Sequence, residues 1–155
     1  MKKCFYLFAM MLLTATAFTS CSDDDENEIN SDDLIGIWQG VTSDGWNKKD
    51  GKIYNEWEND PIEDALIVVT PNDEFMQYEY NQRYGYWECI GSGEYTLKNK
   101  KIYIEVDGES VPFGTLRKLT SNTLVLEVGE KYKDNGVTYE YKEIATFRRA
   151  DDIEL

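Results

Sequence analysis

Apolar and polar residues alternate with a period of two along most of the chain after residue 34, which is typical of strands with one buried face. Turn sequences such as Asn99-Lys100 and Asp134-Asn135-Gly136 separate these segments. The pattern predicts about nine strands with short antiparallel connections. They lie within residues 35–42, 65–70, 74–80, 83–90, 93–98, 101–106, 113–119, 123–128 and 137–148, and residues 52–58 could hold one more strand between two loops. No segment is long enough for crossover helices, so we expect an all-β barrel or sandwich.

The alternation also predicts which side of each strand faces the core. The predicted inward residues are Ile102, Ile104 and Val106, then Leu124, Leu126 and Val128, then Tyr139, Tyr141, Ala145 and Phe147, the last group interrupted by Glu143. A single helical turn is expected at Ser31-Asp32-Asp33. Residues 44–64 are polar and rich in turn sequences, so the first strand should end at Ser43-Asp44-Gly45.

The first 20 residues have the pattern of a secretory signal peptide. Lys2 and Lys3 precede an apolar run, and the small pair Thr19–Ser20 precedes Cys21. The run is shorter than the about 20 apolar residues that a membrane-spanning helix needs. The segment 18–21 resembles a lipobox, the cleavage and acylation site of bacterial lipoproteins. The resemblance implies that Cys21 is lipidated and holds the mature protein on a membrane.

Residues 21–30 are predicted to form an acidic, disordered tether, because its like charges repel and cannot be buried. The run also resembles the acidic export signal that follows the lipidated cysteine in surface lipoproteins of one Gram-negative phylum. The resemblance implies the outer membrane, with surface display favoured over the periplasmic face. The folded domain is expected to occupy residues 31–155.

Charge and composition exclude several classes of function. The net charge is −14, which opposes binding to nucleic acid or electrostatic binding to anionic lipid. The chain has no histidine, so Ser-His-Asp triads and histidine metal sites are excluded. Neither a metal nor a cofactor is expected. Close carboxylate pairs arise by chance among 30 acidic residues, so we expect no enzyme. Cys89 is expected to be a small buried core residue, with a reactive thiol as the alternative.

Several segments together resemble the lipocalin-like domains of small bacterial lipoproteins of the Bacteroidota type. These are Leu34-Ile35-Gly36-Ile37-Trp38, Gly93-Glu94-Tyr95-Thr96-Leu97, Lys101-Ile102-Tyr103-Ile104 and residues 119–126, in that order. The resemblance implies an antiparallel up-and-down barrel of about eight or nine strands. It also implies that Gly36 and Trp38 lie at the closed end of the barrel, with Arg148 or Arg149 over the indole. The second lipocalin motif and the C-terminal helix of lipocalins are absent from the sequence.

The favoured function is non-catalytic binding of a small apolar or aromatic molecule, or of a glycan. Aromatic residues make up 14% of the chain, and Trp46, Tyr54, Trp57 and Trp87 are the candidate contacts. Trp46, Tyr54 and Trp57 are bulky rings in a polar, turn-rich segment, and recognition residues usually lie on loops of a rigid scaffold. The competing interpretation is that these aromatics only pack the sheet, with Trp57 facing the core from a strand at 52–58.

A second function remains open from the sequence. The protein could be a structural or docking subunit of an envelope protein complex, including an inhibitor that uses residues 44–64 as its contact surface. The interior of the barrel distinguishes the two functions. A cavity of several hundred cubic ångströms favours a ligand binder, and a filled barrel with an apolar exterior patch favours docking.

Overall fold

Nine antiparallel strands and one 3-10 helix form the part of the chain that the computed structural model describes, residues 30–155. The helix is Ser31–Leu34, and the strands are β1 Gly36–Lys49, β2 Lys52–Pro61, β3 Ala65–Val69, β4 Glu74–Asn81, β5 Tyr86–Lys98, β6 Lys101–Val106, β7 Glu109–Leu119, β8 Thr123–Asp134 and β9 Val137–Arg149. The predicted signal peptide, Cys21 and the acidic run lie outside the described residues, apart from Asn30, whose side chain caps the helix.

The sheet closes into a barrel because β1 pairs with β9 along most of its length, from Trp38–Arg149 to Lys49–Tyr139. The other edge of β1 is shared. Its first residues pair with β3, and residues 42–49 pair with β2. Strands β1 and β3–β9 therefore form a closed eight-stranded barrel, and β2 is one extra strand beside β1. The predicted all-β, lipocalin-like barrel is confirmed.

Each strand runs opposite to its neighbours, so the turns collect at two ends. The closed end carries the 3-10 helix and the turns at residues 70–73, 99–100 and 120–122. The open end carries the turns at residues 50–51, 82–85, 107–108 and 135–136. Beyond residue 42, β1, β2, β9 and the end of β8 continue past the other strands as a four-stranded ribbon at the open end.

The core lies inside the barrel, on the faces that the alternation predicts. Ile102, Ile104, Leu124, Leu126 and Val128 are all buried, as are Ala145 and Phe147 on β9. Val106, Tyr139 and Tyr141 are half-buried because they approach the open end. The side chains of the closed half fill the interior together with Leu34 and Phe75.

Several strand boundaries differ from the sequence prediction, and β7 and β8 are longer than the predicted 113–119 and 123–128. Ser43-Asp44-Gly45 does not end β1, because this segment pairs with β9 on one edge and with β2 on the other. The register of β1 shifts against β9 between Gly40 and Thr42 and against β2 between Ser43 and Gly45, and such bulges accommodate turn-forming residues within a strand. The predicted strand at residues 52–58 is present within β2. The predicted strands at 83–90 and 93–98 are one strand, β5, because Ser92 and Gly93 continue the pairing with β4.

Cys89 is exposed, so the prediction that it is buried is wrong. The pairing of β4 with β5 shifts between Gln77 and Tyr78, which places Cys89 opposite Tyr78. The thiol group lies 3.6 Å from the carbonyl oxygen of Gly91. A bulge in one strand reverses the faces of the residues beyond it, and sequence alternation alone does not reveal this.

Candidate functional site

The closed end is built around Trp38, which is completely buried. Its indole N–H donates to the carbonyl oxygen of Leu34 at 2.8 Å, so the tryptophan holds the 3-10 helix across the end of the barrel. The guanidinium carbon of Arg149 lies 4.6 Å from the centre of the indole ring, a cation–π contact. Arg149 also donates to the backbone carbonyls of Asp33, Ile35 and Ser121. The Arg149 side chain therefore links β9 to the 3-10 helix and to the turn before β8.

Gly36 is required for this arrangement. Its φ of +144° is a conformation that L side chains rarely adopt. A Cβ atom at this position would lie 2.5 Å from Nη1 of Arg149. Arg149 is thus the arginine that covers Trp38. Arg148, the other candidate, points away and donates to Oε1 of Gln39 at 2.8 Å.

The open end carries aromatic side chains on the inward face of the four-stranded ribbon. Trp57 of β2 lies across Gly45 of β1 and stacks on Tyr141 of β9, with ring centres 6.1 Å apart. A Cβ on Gly45 would lie 2.4 Å from the Trp57 ring, so only glycine lets the indole cross β1. The indole N–H donates to Oγ of Ser43 at 3.1 Å.

Two more tyrosines extend this surface toward the tip of the ribbon. Tyr132 and Tyr139 are paired across β8 and β9, and their rings stack with centres 5.2 Å apart. Desolvation, followed by the charges of Glu130 and Tyr54, raises the pKa of Tyr132, so Tyr54 lies within electrostatic range of this pair. Tyr54 itself is 63% exposed. We call Tyr54, Trp57, Tyr132, Tyr139 and Tyr141 the ring platform.

Carboxylates lie among these rings. Glu143 is 4% exposed, accepts from the Tyr141 hydroxyl and is hydrogen-bonded to Ser43. Burial raises the pKa of Glu143 above its ordinary value, and these two hydrogen bonds oppose the rise. Glu130 lies opposite Tyr141 in the sheet, and burial raises its pKa too. The ring platform therefore combines flat apolar surfaces with hydrogen-bond acceptors.

The structure brings together two of the four predicted contact residues, Tyr54 and Trp57. Trp46 lies on the opposite face of the ribbon, where the ammonium nitrogen of Lys48 sits 3.8 Å from its ring centre. Trp87 lies on the β4–β5 hairpin, edge to face with Tyr80 at 5.1 Å. Neither of these two residues contributes to the ring platform.

The barrel interior has little free space. A cavity of about 30 Å³ lies between the buried residues Gln77, Phe113, Leu126 and Phe147. Pockets for drug-sized ligands are about 300–1,000 Å³, an order of magnitude larger. A ligand with more than a few atoms therefore does not fit this cavity.

The outer surface of β3 and β4 is apolar. Leu66 and Val68 alternate with the inward-facing Ile67 and Val69, so they point outward, yet both are buried. They pair with Tyr78 and Met76 of β4, and the Tyr78 hydroxyl lies 3.6 Å from the Met76 sulfur. We call Leu66, Val68, Met76 and Tyr78 the outer apolar face. In contrast, the outer surface of β7–β9 carries an ion-pair cluster of Arg117, Glu127 and Lys142.

No protein-family model matches this chain, and no curated protein sequence matches it. Within residues 30–155, no group of three or more Cys, Asp or Glu side chains is placed to hold a metal ion. The same residues include no helix that is long and apolar enough to cross a bilayer.

Partial signals for the site residues that were not predicted are present in the sequence. Tyr132, Tyr139 and Tyr141 lie at inward positions of the alternating pattern, but strand aromatics usually pack a core. Glu143 is visible as a charged residue within an apolar series. Gln77 follows Phe75 on the inward face of β4, so it too is recognisable as a polar residue at an inward position.

Proposed function

We propose that this protein is a lipid-anchored envelope protein that binds a carbohydrate, without catalysis, on the ring platform at the open end of its barrel. The observation that supports the proposal most directly is the double ring stack, Trp57 on Tyr141 and Tyr132 on Tyr139, on one inward surface. Stacked rings of this kind offer flat apolar contact area with little side-chain freedom to lose. The interior cavity of about 30 Å³ is too small for an oligosaccharide, which favours this surface as the binding site.

The polar groups around the rings favour a sugar over a purely apolar ligand. Carboxylates accept hydrogen bonds only, and a sugar presents several hydroxyl donors. Glu130 and Glu143 lie beside Tyr141, on the same surface. A wholly apolar ligand would leave the Glu130 carboxylate desolvated and unpaired, which opposes binding.

The anchor belongs to the same proposal and rests on the sequence of residues 1–28. Cys21 would carry the lipid, and the acidic residues that follow it would lead to the outer membrane surface. Cys21→Ser should abolish labelling by radioactive palmitate and release the protein from membranes. A wild-type protein that is water-soluble and unlabelled after cell fractionation would contradict the anchor and leave the ring platform unaffected.

A glycan array followed by calorimetry tests the ring platform. We expect one class of oligosaccharide to bind the wild-type protein and to bind Tyr139→Ala at least tenfold more weakly, the loss that marks an anchor residue. Trp46→Ala is the matched control, because Trp46 lies on the opposite face of the same ribbon. Equal losses in both variants, or no bound glycan on the array, would refute the proposal.

A specific observation favours docking as a second candidate. The outer apolar face presents Met76 and Tyr78 around the buried Leu66 and Val68, and aromatic residues and methionine are enriched at protein interfaces. The net charge of −14 opposes association with a second copy, so the occupant would be a different protein of the envelope. An inhibitor role of this protein is the variant of docking that would use residues 44–64 as its contact surface.

Substitution of one apolar residue by a charged one distinguishes docking from carbohydrate binding. A protein that co-purifies with the wild type should be lost from Met76→Glu and kept by Tyr103→Glu, a variant on another part of the outer surface. The glycan affinity of Met76→Glu should be unchanged. A partner that both variants retain would exclude the outer apolar face as its binding surface.

A further inference from the structure

Gln77 has a buried amide oxygen with no hydrogen-bond partner. The residue is 5% exposed and lies on the inward face of β4, opposite Ile67 of β3. Its Oε1 atom is the one buried side-chain polar atom in the described part of the chain that lacks a partner. An unpaired buried acceptor opposes folding, so a native protein is expected to supply a donor to it.

The atom belongs to a side chain that lines the interior cavity of about 30 Å³. One water molecule needs about 10–15 Å³ of such volume, so the space holds two or three non-hydrogen atoms. The walls beside Gln77 are apolar and include Phe113, Leu126 and Phe147. The charged residues at the cavity are Asp64 and Glu79, and both are acidic.

We infer that this cavity is a binding site for a short primary ammonium ion, such as methylammonium or ethylammonium, whose N–H group donates to Oε1 of Gln77. Each part of the ligand follows from one property of the site. The unpaired acceptor selects a donor, the apolar walls select an alkyl group, and the volume limits the ligand to two or three non-hydrogen atoms. Asp64 and Glu79 favour a cation over a neutral molecule or an anion. This site is separate from the ring platform and does not depend on the carbohydrate proposal.

The test is a titration of the whole ¹⁵N-labelled protein with ethylammonium chloride, followed by NMR at Gln77 and its neighbours. Sodium chloride at equal ionic strength is the salt control. We expect saturable shifts with a dissociation constant in the millimolar range, the limit that so few ligand atoms allow. Ethanol, a neutral molecule of the same size, should bind at least tenfold more weakly.

Two variants assign the site. Gln77→Leu removes the acceptor at similar volume and should weaken ethylammonium binding at least tenfold, with an equal or higher melting temperature because the unpaired atom is gone. Gln82→Leu makes the same change at an exposed turn residue and should bind as the wild type does. Glu79→Gln, which keeps the acceptor of Gln77, should reduce the preference for ethylammonium over ethanol.

Several outcomes would overturn the inference. Saturable binding of acetate in place of ethylammonium would mean that the Gln77 amide acts as a donor. Equal affinity in Gln77→Leu and the wild type would place the ligand elsewhere. If the NMR signals of Gln77 do not shift at up to about 50 mM ethylammonium, well above a millimolar dissociation constant, water fills the cavity instead.

Discussion

The two ends of this barrel each use an inward-facing tryptophan, with different results. At the closed end, Trp38 is fully buried, its indole N–H is paired with a backbone carbonyl, and Arg149 covers its ring. At the open end, Trp57 is half-buried, its N–H is paired with the Ser43 hydroxyl, and the Tyr141 ring under it leads to the half-buried rings of Tyr132 and Tyr139. The same residue type closes the core at one end and forms a surface at the other.

The difference lies in what the chain places beyond each ring. The 3-10 helix covers Trp38, and Arg149 lies over its ring while binding three backbone carbonyls, so no solvent reaches the indole. Past Trp57 the ribbon continues without a covering segment in the described part of the chain. Burial of an aromatic ring therefore contributes to stability at the closed end, and partial burial leaves ring area for a ligand at the open end.

The largest predicted effect concerns Trp38. Trp38→Ala should lower the free energy of unfolding by about 3–5 kcal/mol, the usual loss for a large buried aromatic. Urea unfolding measures it, with Trp46→Ala on the outer surface expected to cost less than about 1 kcal/mol. If the two variants lose similar amounts of unfolding free energy, Trp38 is not a main contact of the core.

The second prediction tests the contact between Gly36 and Arg149. Gly36→Ala should cost about 1–3 kcal/mol, because it combines an unfavourable φ with a clash at the guanidinium group. Gly51→Ala at the open end also has a positive φ, +76°, but its new Cβ would meet no atom within 4 Å. Chemical denaturation should therefore show a clearly smaller loss for Gly51→Ala. If the losses are equal, the clash with Arg149 contributes nothing.

The third prediction concerns Trp57. Trp57→Ala should weaken carbohydrate binding at least tenfold while lowering the free energy of unfolding by only about 1 kcal/mol, since the ring is half-buried. Calorimetric binding and thermal melting of the same sample separate the two effects. If Trp57→Ala lowers the melting temperature as much as Trp38→Ala does, Trp57 belongs to the core, and the two ends of the barrel do not differ in the role of their tryptophan.

The fourth and smallest effect is a pH dependence at the open end. Burial raises the pKa of Glu143 in the folded state, so its contribution is fully present below the ordinary value of 4.5 and is lost as pH rises through the raised value. Glu143→Gln should thus be more stable than the wild type by about 1 kcal/mol at pH 8, with the difference vanishing near pH 4.

Melting curves between pH 4 and 8 give this dependence. Glu127→Gln is the matched control on the outer surface, where the carboxylate is paired with Arg117 and Lys142. This variant loses ion pairs and should gain no stability at high pH. A Glu143→Gln difference that does not change with pH would mean that the carboxylate is not desolvated in the folded protein.

The strands and the core were predictable because local pattern decides them. Inward residues such as Ile102, Leu124 and Phe147 repeat every second position, and burial of one face imposes this period on any strand. The end of β1 was not predictable, because Ser43-Asp44-Gly45 has turn-forming residues and remains in a strand through pairing with two distant segments. Long-range pairing overrides local propensity at that point.

The candidate sites were predictable only in part. Tyr54 and Trp57 stood out as rings in a polar segment, but their companions Tyr132, Tyr139 and Tyr141 come from strands far along the chain. Trp46 looked equivalent to Trp57 in sequence, and a change of face separates them in the structure. Which rings share a surface depends on register, and register is set between strands.

The sequence by itself determined that this protein is an antiparallel all-β domain, because alternation and turn residues act within a few positions of one another. The resemblance of its segments to lipocalin-like domains implied that Trp38 meets Arg148 or Arg149. Only the tertiary structure decided that the arginine is Arg149, that Cys89 faces outward, and that Gln77 reaches a nearly filled interior without a donor. A bulge or a one-residue shift exchanges the two faces of a strand, and it arises from contacts between segments that are distant in the chain.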